Sequence, residues 1–365
     1  MNLKERLSEG GLAEPGRVAA PEPAAPDPIT VYDYEQAARF VTSRVFVTPS
    51  VVWHRPKYLA WLPGLVWAKA RQMASHLQLI GTAYRRRDLD LILVKGFSTT
   101  MLAAIAPFVW HARRRMLLTM HHNLQFAHRR PLERWILRLL CRARFRFAVL
   151  DALDGVAELG IEPDRRQFFV LHPPIPQRPV TAASTQPPAR PLGIGVIGAF
   201  RTEKSTEDLL RRLLEARDRG QVGTRIVLGC PNETILERWR AARVDGINTT
   251  DYRDYLAALG SCEVVVLNYH ADRYYYRSSG VIGDAVAQGA AVACPDFPVF
   301  RRQIIEPVTV GAVFRDPEDL MRAVHAALEL RRSQPENFVV WARARTPQQF
   351  SRRLDEFILY TRGPG

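Results

Sequence analysis

The chain has 365 residues, 47% hydrophobic and 24% charged, an ordinary globular composition long enough for two domains of about 150–180 residues. Its four cysteines (Cys141, Cys230, Cys262 and Cys294) lie far apart with no C-x-x-C spacing, which excludes a zinc or disulfide framework and predicts buried thiols in a reducing compartment. The first residues, MNLKERLSEGG, lack the apolar core of a signal peptide, and 101-MLAAIAPFVW-110 is too short to span a bilayer, so a soluble or peripheral protein is expected. Residues 1–28 end in 19-AAPEPAAPDP-28, a Pro/Ala tail expected to be disordered. Apolar runs at 44–48, 90–94, 116–120, 146–150 and 168–172 read as strands, separated by helical spacing at 58–84 and 131–142. Seven prolines in 173–191 mark a break, with the linker itself set at 177–191. Strands then recur at 192–198, 225–229, 263–267 and 290–294, with helices expected at 205–218, 233–243, 252–259, 279–288 and 317–331. The fold class is therefore α/β: two Rossmann-like domains with parallel sheets, at 29–176 and 192–340. The segment 341–365, with a helix at about 346–361, is expected to pack back on the first domain.

In such sheets ligands bind at the carboxyl ends of strands, so the exit residues carry the functional reading. The stretch 192-LGIGVIGAFRTEKSTEDLL-210 has Gly193, Gly195 and Gly198 in the G-x-G-x-x-G spacing of dinucleotide sites. Two of these glycines fall inside the strand, however, and the helix start is signalled only at Ser205–Asp208. The acid that would bind a ribose after the next strand is missing from 225-RIVLGCPN-232. The remaining pattern is a strand, a turn at Gly198, the cations Arg201 and Lys204, and a helix, which suits phosphate oxygens better than a nicotinamide cofactor.

A second motif is 263-EVVVLNYHADRYYYRSSGVIGDAVAQGAAVACPDFP-298. A buried strand leads into a tyrosine-rich loop, then Ser278, Ser279 and Gly280 open a helix whose free N–H groups and dipole make an anion site. Asp284 lies one turn further in, where a carboxylate can accept hydrogen bonds from a ribose.

These residues resemble the C-terminal domain of retaining, family-4-like glycosyltransferases of the GT-B fold. The match includes the Gly-x5-Lys turn at Gly198 and Lys204, the run 284-DAVAQGAAVACP-295 and the ending 311-GAVFRDPEDLMRAVHAAL-328; 116-MLLTMHHN-123 resembles the Thr-x-His stretch at His121. The likeness is good from about 90 to 330. It implies a nucleotide-sugar donor between the domains, with Arg201 and Lys204 on the diphosphate and Gly198, Ser278, Ser279 and Gly280 beside it. The family's arginine usually follows the glycine directly, where this chain has Ala199. Asp284 matches the ribose-binding second glutamate of the Glu-x7-Glu motif, one methylene shorter, and Tyr276 stands at the first. His121 matches the histidine near the transferring carbon, with His122 and Asn123 weaker neighbours. The resemblance further implies catalysis without a cofactor, the nucleotide-sugar being a substrate, and no D-x-D metal motif precedes a nucleotide site.

The net charge of +14 is uneven: residues 111–147 hold ten arginines against Glu133 alone. The segment 129-RRPLERWILRLLCRARFRF-147 sets Leu132, Trp135, Ile136, Leu139 and Leu140 at helical spacing among arginines. It reads as an interfacial helix with Arg130, Arg134, Trp135, Arg138 and Arg142 toward an anionic membrane, unless its stripe packs on the domain core. A second Trp-rich basic stretch is 53–72. The expected partners are a nucleotide-sugar donor, a glycan or lipid-linked acceptor and the cytoplasmic inner face of a membrane. No nucleic-acid module is recognisable, and the sequence sets no oligomeric state. A non-catalytic GT-B binding or assembly partner and a sugar-nucleotide epimerase stay open as alternatives.

Overall fold

The computed structural model describes residues 45–47, 62–175, 192–198, 204–222 and 225–362. The Pro/Ala tail, the linker at 177–191 and the turn residues Ala199 and Arg201 lie outside the described residues.

The first domain runs β1 (Val45–Val47), α1 (Leu62–Arg85), β2 (Leu91–Lys95), α2 (Thr99–Val109), a 3-10 turn (Trp110–Arg115), β3 (Met116–Met120), α3 (Asn123–Arg129), α4 (Pro131–Arg142), β4 (Phe147–Leu150), α5 (Asp154–Glu158) and β5 (Phe168–Leu171). The five strands pair in parallel in sequence order. Central strand β3 is buried at every position, as an apolar run in a sheet covered on both faces must be. Alternate side chains serve the two faces. Ile92, Val94, Leu118, Met120 and Val149 pack under α1, α2 and α4. Leu91, Leu93, Leu117 and Leu150 face the opposite way. α2 is absent from the sequence expectations; its start is fixed by Ser98, whose side chain accepts from the Met101 N–H at 3.2 Å.

The second domain runs β6 (Gly193–Ile197), α6 (Thr206–Asp218), β7 (Arg225–Cys230), α7 (Glu233–Arg240), β8 (Asp245–Asn248), α8 (Tyr252–Gly260), β9 (Cys262–Val266), α9 (Ala271–Tyr274), α10 (Gly280–Ala287), β10 (Ala291–Pro295), α11 (Pro298–Ile305), β11 (Gly311–Phe314), α12 (Leu320–Ser333), α13 (Glu336–Ala344) and α14 (Pro347–Arg362). Its sheet reads β8-β7-β6-β9-β10-β11, all parallel. In domain order that is 3-2-1-4-5-6, so the winding reverses between β6 and β9 and a crevice opens at their carboxyl ends. β8 carries the sequence DGIN with no fully buried side chain, which hid it from an apolar-run search. The predicted helix at 233–243 stops at Arg240, and Arg243 takes a left-handed φ of 58°.

The chain then returns to the first domain. Phe350, Leu354, Phe357 and Ile358 of α14, spaced four, three and one apart, are buried against the lower face of the first sheet. Each such side chain contributes roughly 1.5–3 kcal/mol by burial, which holds α14 against that sheet.

Candidate functional site

The three spaced glycines divide by role. A Cβ on Gly193 would strike the Arg225 carbonyl of β7, and one on Gly195 would strike Cys262 Sγ of β9, so both are glycine because neighbouring strands leave no room. Gly198 differs. It follows β6 at φ +129°, where L side chains are strained, and its N–H donates to the Gly229 carbonyl at 2.9 Å.

Lys204 is buried, with its Nζ 4.9 Å from the Tyr269 ring centroid just beyond β9. It also lies 3.4 Å from where a Gly198 Cβ would stand, and Val281 of the first turn of α10 comes within 4.0 Å of the same point. Gly198, Lys204 and the start of α10 thus converge at the β6/β9 reversal. The Lys204 ammonium is held over an aromatic face, an attraction of about 0.5–2 kcal/mol that fixes its position at the strand exit. Ser205, left-handed at φ 43°, hydrogen-bonds His270 Nε2 beside it.

The residues after the tyrosine-rich loop are distributed differently. The Ser279 N–H donates to Gln303 Oε1 at 2.9 Å, Gln303 Nε2 donates back to the Ser279 carbonyl at 3.3 Å, and Trp341 Nε1 donates to the Gln303 carbonyl at 2.7 Å. These bonds fix the entry to α10, which begins at Gly280 just after the buried Ser279. Ser278 turns to the first domain, its hydroxyl donating to Asp151 Oδ2 at 2.6 Å. Tyr276 turns the same way: its ring stacks on His128 with centroids 3.8 Å apart, its hydroxyl donates to Glu158, and its N–H donates to Gln125 Oε1 at 3.0 Å. Asp284 sits within α10, where the Tyr255 hydroxyl donates to it at 3.0 Å. Desolvation pushes its carboxyl up to about 7, against the pull of that hydrogen bond.

Sequence reasoning missed Asp151, the first residue after β4. It is buried in a left-handed conformation (φ 63°), with Arg345 NH1 donating to Oδ1 at 2.6 Å and His172 Nδ1 3.0 Å from the same oxygen. Desolvation opposes its ionisation, but Arg345, His172 and Ser278 outweigh that and hold it down to about 2. Its position at a strand exit was the available signal.

Across the cleft His121 leaves β3. Desolvation, then the charges of Arg277 and Lys95, push it down to about 4. His122 falls to about 3 through desolvation, Arg277 and His121. Both imidazoles are therefore neutral at pH 7. Asn123 supports this exit by donating to the Phe97 carbonyl at 3.1 Å and to Thr99 Oγ1 at 3.2 Å.

The stripe on α4 splits. Ile136, Leu137 and Leu140 enter the core, whereas Leu132, Trp135 and Leu139 are exposed, together with Val66 and Trp67 of α1, Phe108 of α2 and Trp110 just after it. Arg134 donates to the Ala127 and His128 carbonyls at 3.2 and 2.9 Å, and Arg138 to the Leu159 carbonyl at 2.5 Å, so these two cap helix ends. Arg130, over the Phe126 ring at 4.9 Å, and Arg142 are exposed. Among the described residues no cluster of three or more His, Cys, Asp or Glu could hold a metal, and no helix is long and apolar enough to cross a membrane.

No family model matches the chain, and no curated protein matches it in sequence. Solved structures do match it in fold. Anabaena HepE in complex with UDP superposes with a TM-score of 0.56 at 14% identity, covering 84% of this chain and 85% of that one. The lipopolysaccharide outer core galactosyltransferase WaaB gives 0.53 at 11% identity, covering 79% and 80%. The pneumococcal O-GlcNAc transferase GtfA, in complex with UDP and GlcNAc, gives 0.52 at 11% identity, covering 80% and 61%. With its two parallel-sheet α/β domains, the chain has the GT-B fold.

Proposed function

We propose that this chain is a glycosyltransferase that moves a sugar from a nucleotide-sugar donor to a glycan or lipid-linked acceptor, with retention and without a metal or cofactor. The observation that carries this reading is the meeting of Gly198, the buried Lys204 and the start of α10 at the β6/β9 reversal. A helix N-terminus and a positioned ammonium suit a diphosphate leaving group. HepE and GtfA having been crystallised with UDP supports a donor of that class.

On this reading Lys204, with Arg201, meets the diphosphate, and Asp284 meets the ribose. Departure of the nucleoside diphosphate leaves extra negative charge on its outer phosphate, which the ammonium and N–H groups stabilise; one such donor contributes about 3 kcal/mol to lowering the barrier. His121 stands near the transferring carbon as a neutral imidazole, able to orient a sugar hydroxyl without setting a cation against developing positive charge. The exposed Trp135 and Arg142 of α4, with Arg130 just before it, support docking on the cytoplasmic face of an anionic membrane, where each such cation contributes roughly 1 kcal/mol.

Calorimetric titration with UDP, GDP and dTDP tests the proposal. At least one binds the wild-type protein, and Lys204→Ala weakens that binding about tenfold or more. No binding by any of the three, with Lys204→Ala indistinguishable from wild type, overturns it. Binding without donor hydrolysis or transfer favours a GT-B binding or assembly partner, a reading that Tyr276's docking on the first domain supports.

A further inference from the structure

A cavity of about 280 Å³ lies between α3 and the segment 271–277. α3 contributes Gln125, Phe126 and Arg129, the facing segment Asp272, Arg273 and Arg277, and His122 lines it at the exit of β3. None of the residues placed at the Lys204 site lines it.

Hydrogen bonds between the domains fix its walls. Gln125 Nε2 donates to the Ala271 and Asp272 carbonyls at 3.2 and 2.9 Å, and Gln125 Oε1 accepts the Tyr276 N–H. Arg129 donates to the Asp272 carbonyl at 2.9 Å. Three guanidinium groups share the lining with one carboxylate, Asp272, which Arg129 and Arg273 approach at 3.3 and 3.5 Å. The lining therefore carries a net positive charge in a concave space, where a field is focused on an anion. Arg277 lies over the Tyr274 ring at 4.5 Å, and its charge disfavours protonation of both His121 and His122.

The position separates this pocket from the donor phosphates. The Tyr269 and Tyr274 rings, 4.2 Å apart, stand with Lys204 over Tyr269 and Arg277 over Tyr274. The two cations are thus held over different rings of one tyrosine pair, and the arginine-lined pocket adjoins His122 at the exit of β3. We propose that this pocket binds an acidic group of the acceptor, a phosphate or a carboxylate, through Arg273 and Arg277. The proposal rests on the transferase reading, which puts the donor at Lys204 and the acceptor on the His121 side. The volume lies at the small end of ligand cavities, with room for an anionic group and part of the ring bearing it. Guanidinium forks match both oxyanions.

The test is calorimetry with inorganic phosphate and with glucuronate, which separate the two sources, on protein saturated with whichever of UDP, GDP and dTDP binds best. One of the anions binds in the presence of nucleotide. Arg273→Gln with Arg277→Gln weakens it tenfold or more while nucleotide affinity stays within twofold. Asp272→Asn, which removes the pocket's one carboxylate, tightens it severalfold and guards against a misfolded double variant. Binding of neither anion, affinities unchanged in both variants, or competition with nucleotide accompanied by loss of both ligands in the double variant overturns the acceptor pocket; the last outcome leaves the transferase reading intact. If no nucleotide binds while an anion still does and the double variant still loses it, the transferase reading falls and the anion site stands.

Discussion

Asp151→Asn removes the charge at the centre of the contact between the domains. The Asp151 side chain is fully buried and its partner Arg345 is 2% exposed, so no water replaces the lost carboxylate. The fall from 3.8 to about 2 corresponds to about 2 kcal/mol in favour of the ionised form. The variant costs more, because it leaves Arg345 charged and buried without its counter-ion, a situation that costs about 3–5 kcal/mol. It also weakens the bond to Ser278, which ties α10's entry to the first domain. Urea denaturation at pH 7 should show that loss, and adding Arg345→Met should recover part of it by removing the orphaned charge. The folded pKa lies below the unfolded one, so the contribution is complete above about pH 4 and is lost as pH falls through about 2. The penalty is therefore the same at pH 5 and pH 8. A cost below about 1 kcal/mol, or an Arg345→Met change that adds its own penalty to Asp151→Asn, refutes the reasoning.

Asp284 has the opposite sign: its folded pKa of about 7 exceeds the ordinary 3.8, so stability falls as pH rises between those values. Asp284→Asn should remove that slope; nucleotide affinity should rise severalfold from pH 6 to pH 8 in the wild type as the carboxylate ionises, and the variant should lose that part of the rise. Parallel denaturation and calorimetry series check both; equal slopes in the two proteins refute the assignment. For the membrane, Trp135→Ala with Arg130→Ala and Arg142→Ala should reduce flotation with anionic vesicles at least fivefold while the thermal midpoint changes little, since all three side chains are exposed. Unchanged flotation counts against docking through α4.

The sequence by itself determined the alternation of strands and helices, because buried parallel strands must be apolar runs and surface helices must repeat every three to four residues. β3, β6 and α4 were legible on those grounds, whereas β8 and the capped α2 were not, carrying no apolar run or a uniformly apolar one. The late helix start after Gly198 was legible too, because the capping signal lies at Ser205–Asp208 and the helix begins at Thr206. Which way each loop residue points was not written in the chain order. Ser278 and Tyr276 sit in the motif beside Gly280, yet their side chains close the domain contact, because Asp151 and Glu158 lie within reach only after folding. Likewise Arg134 and Arg138 share a helix with Arg142 but meet carbonyls at helix ends. Sequence sets periodicity and charge along the chain. Partners more than a hundred residues apart, such as Asp151 and Arg345, are decided by the packing that brings strand exits together.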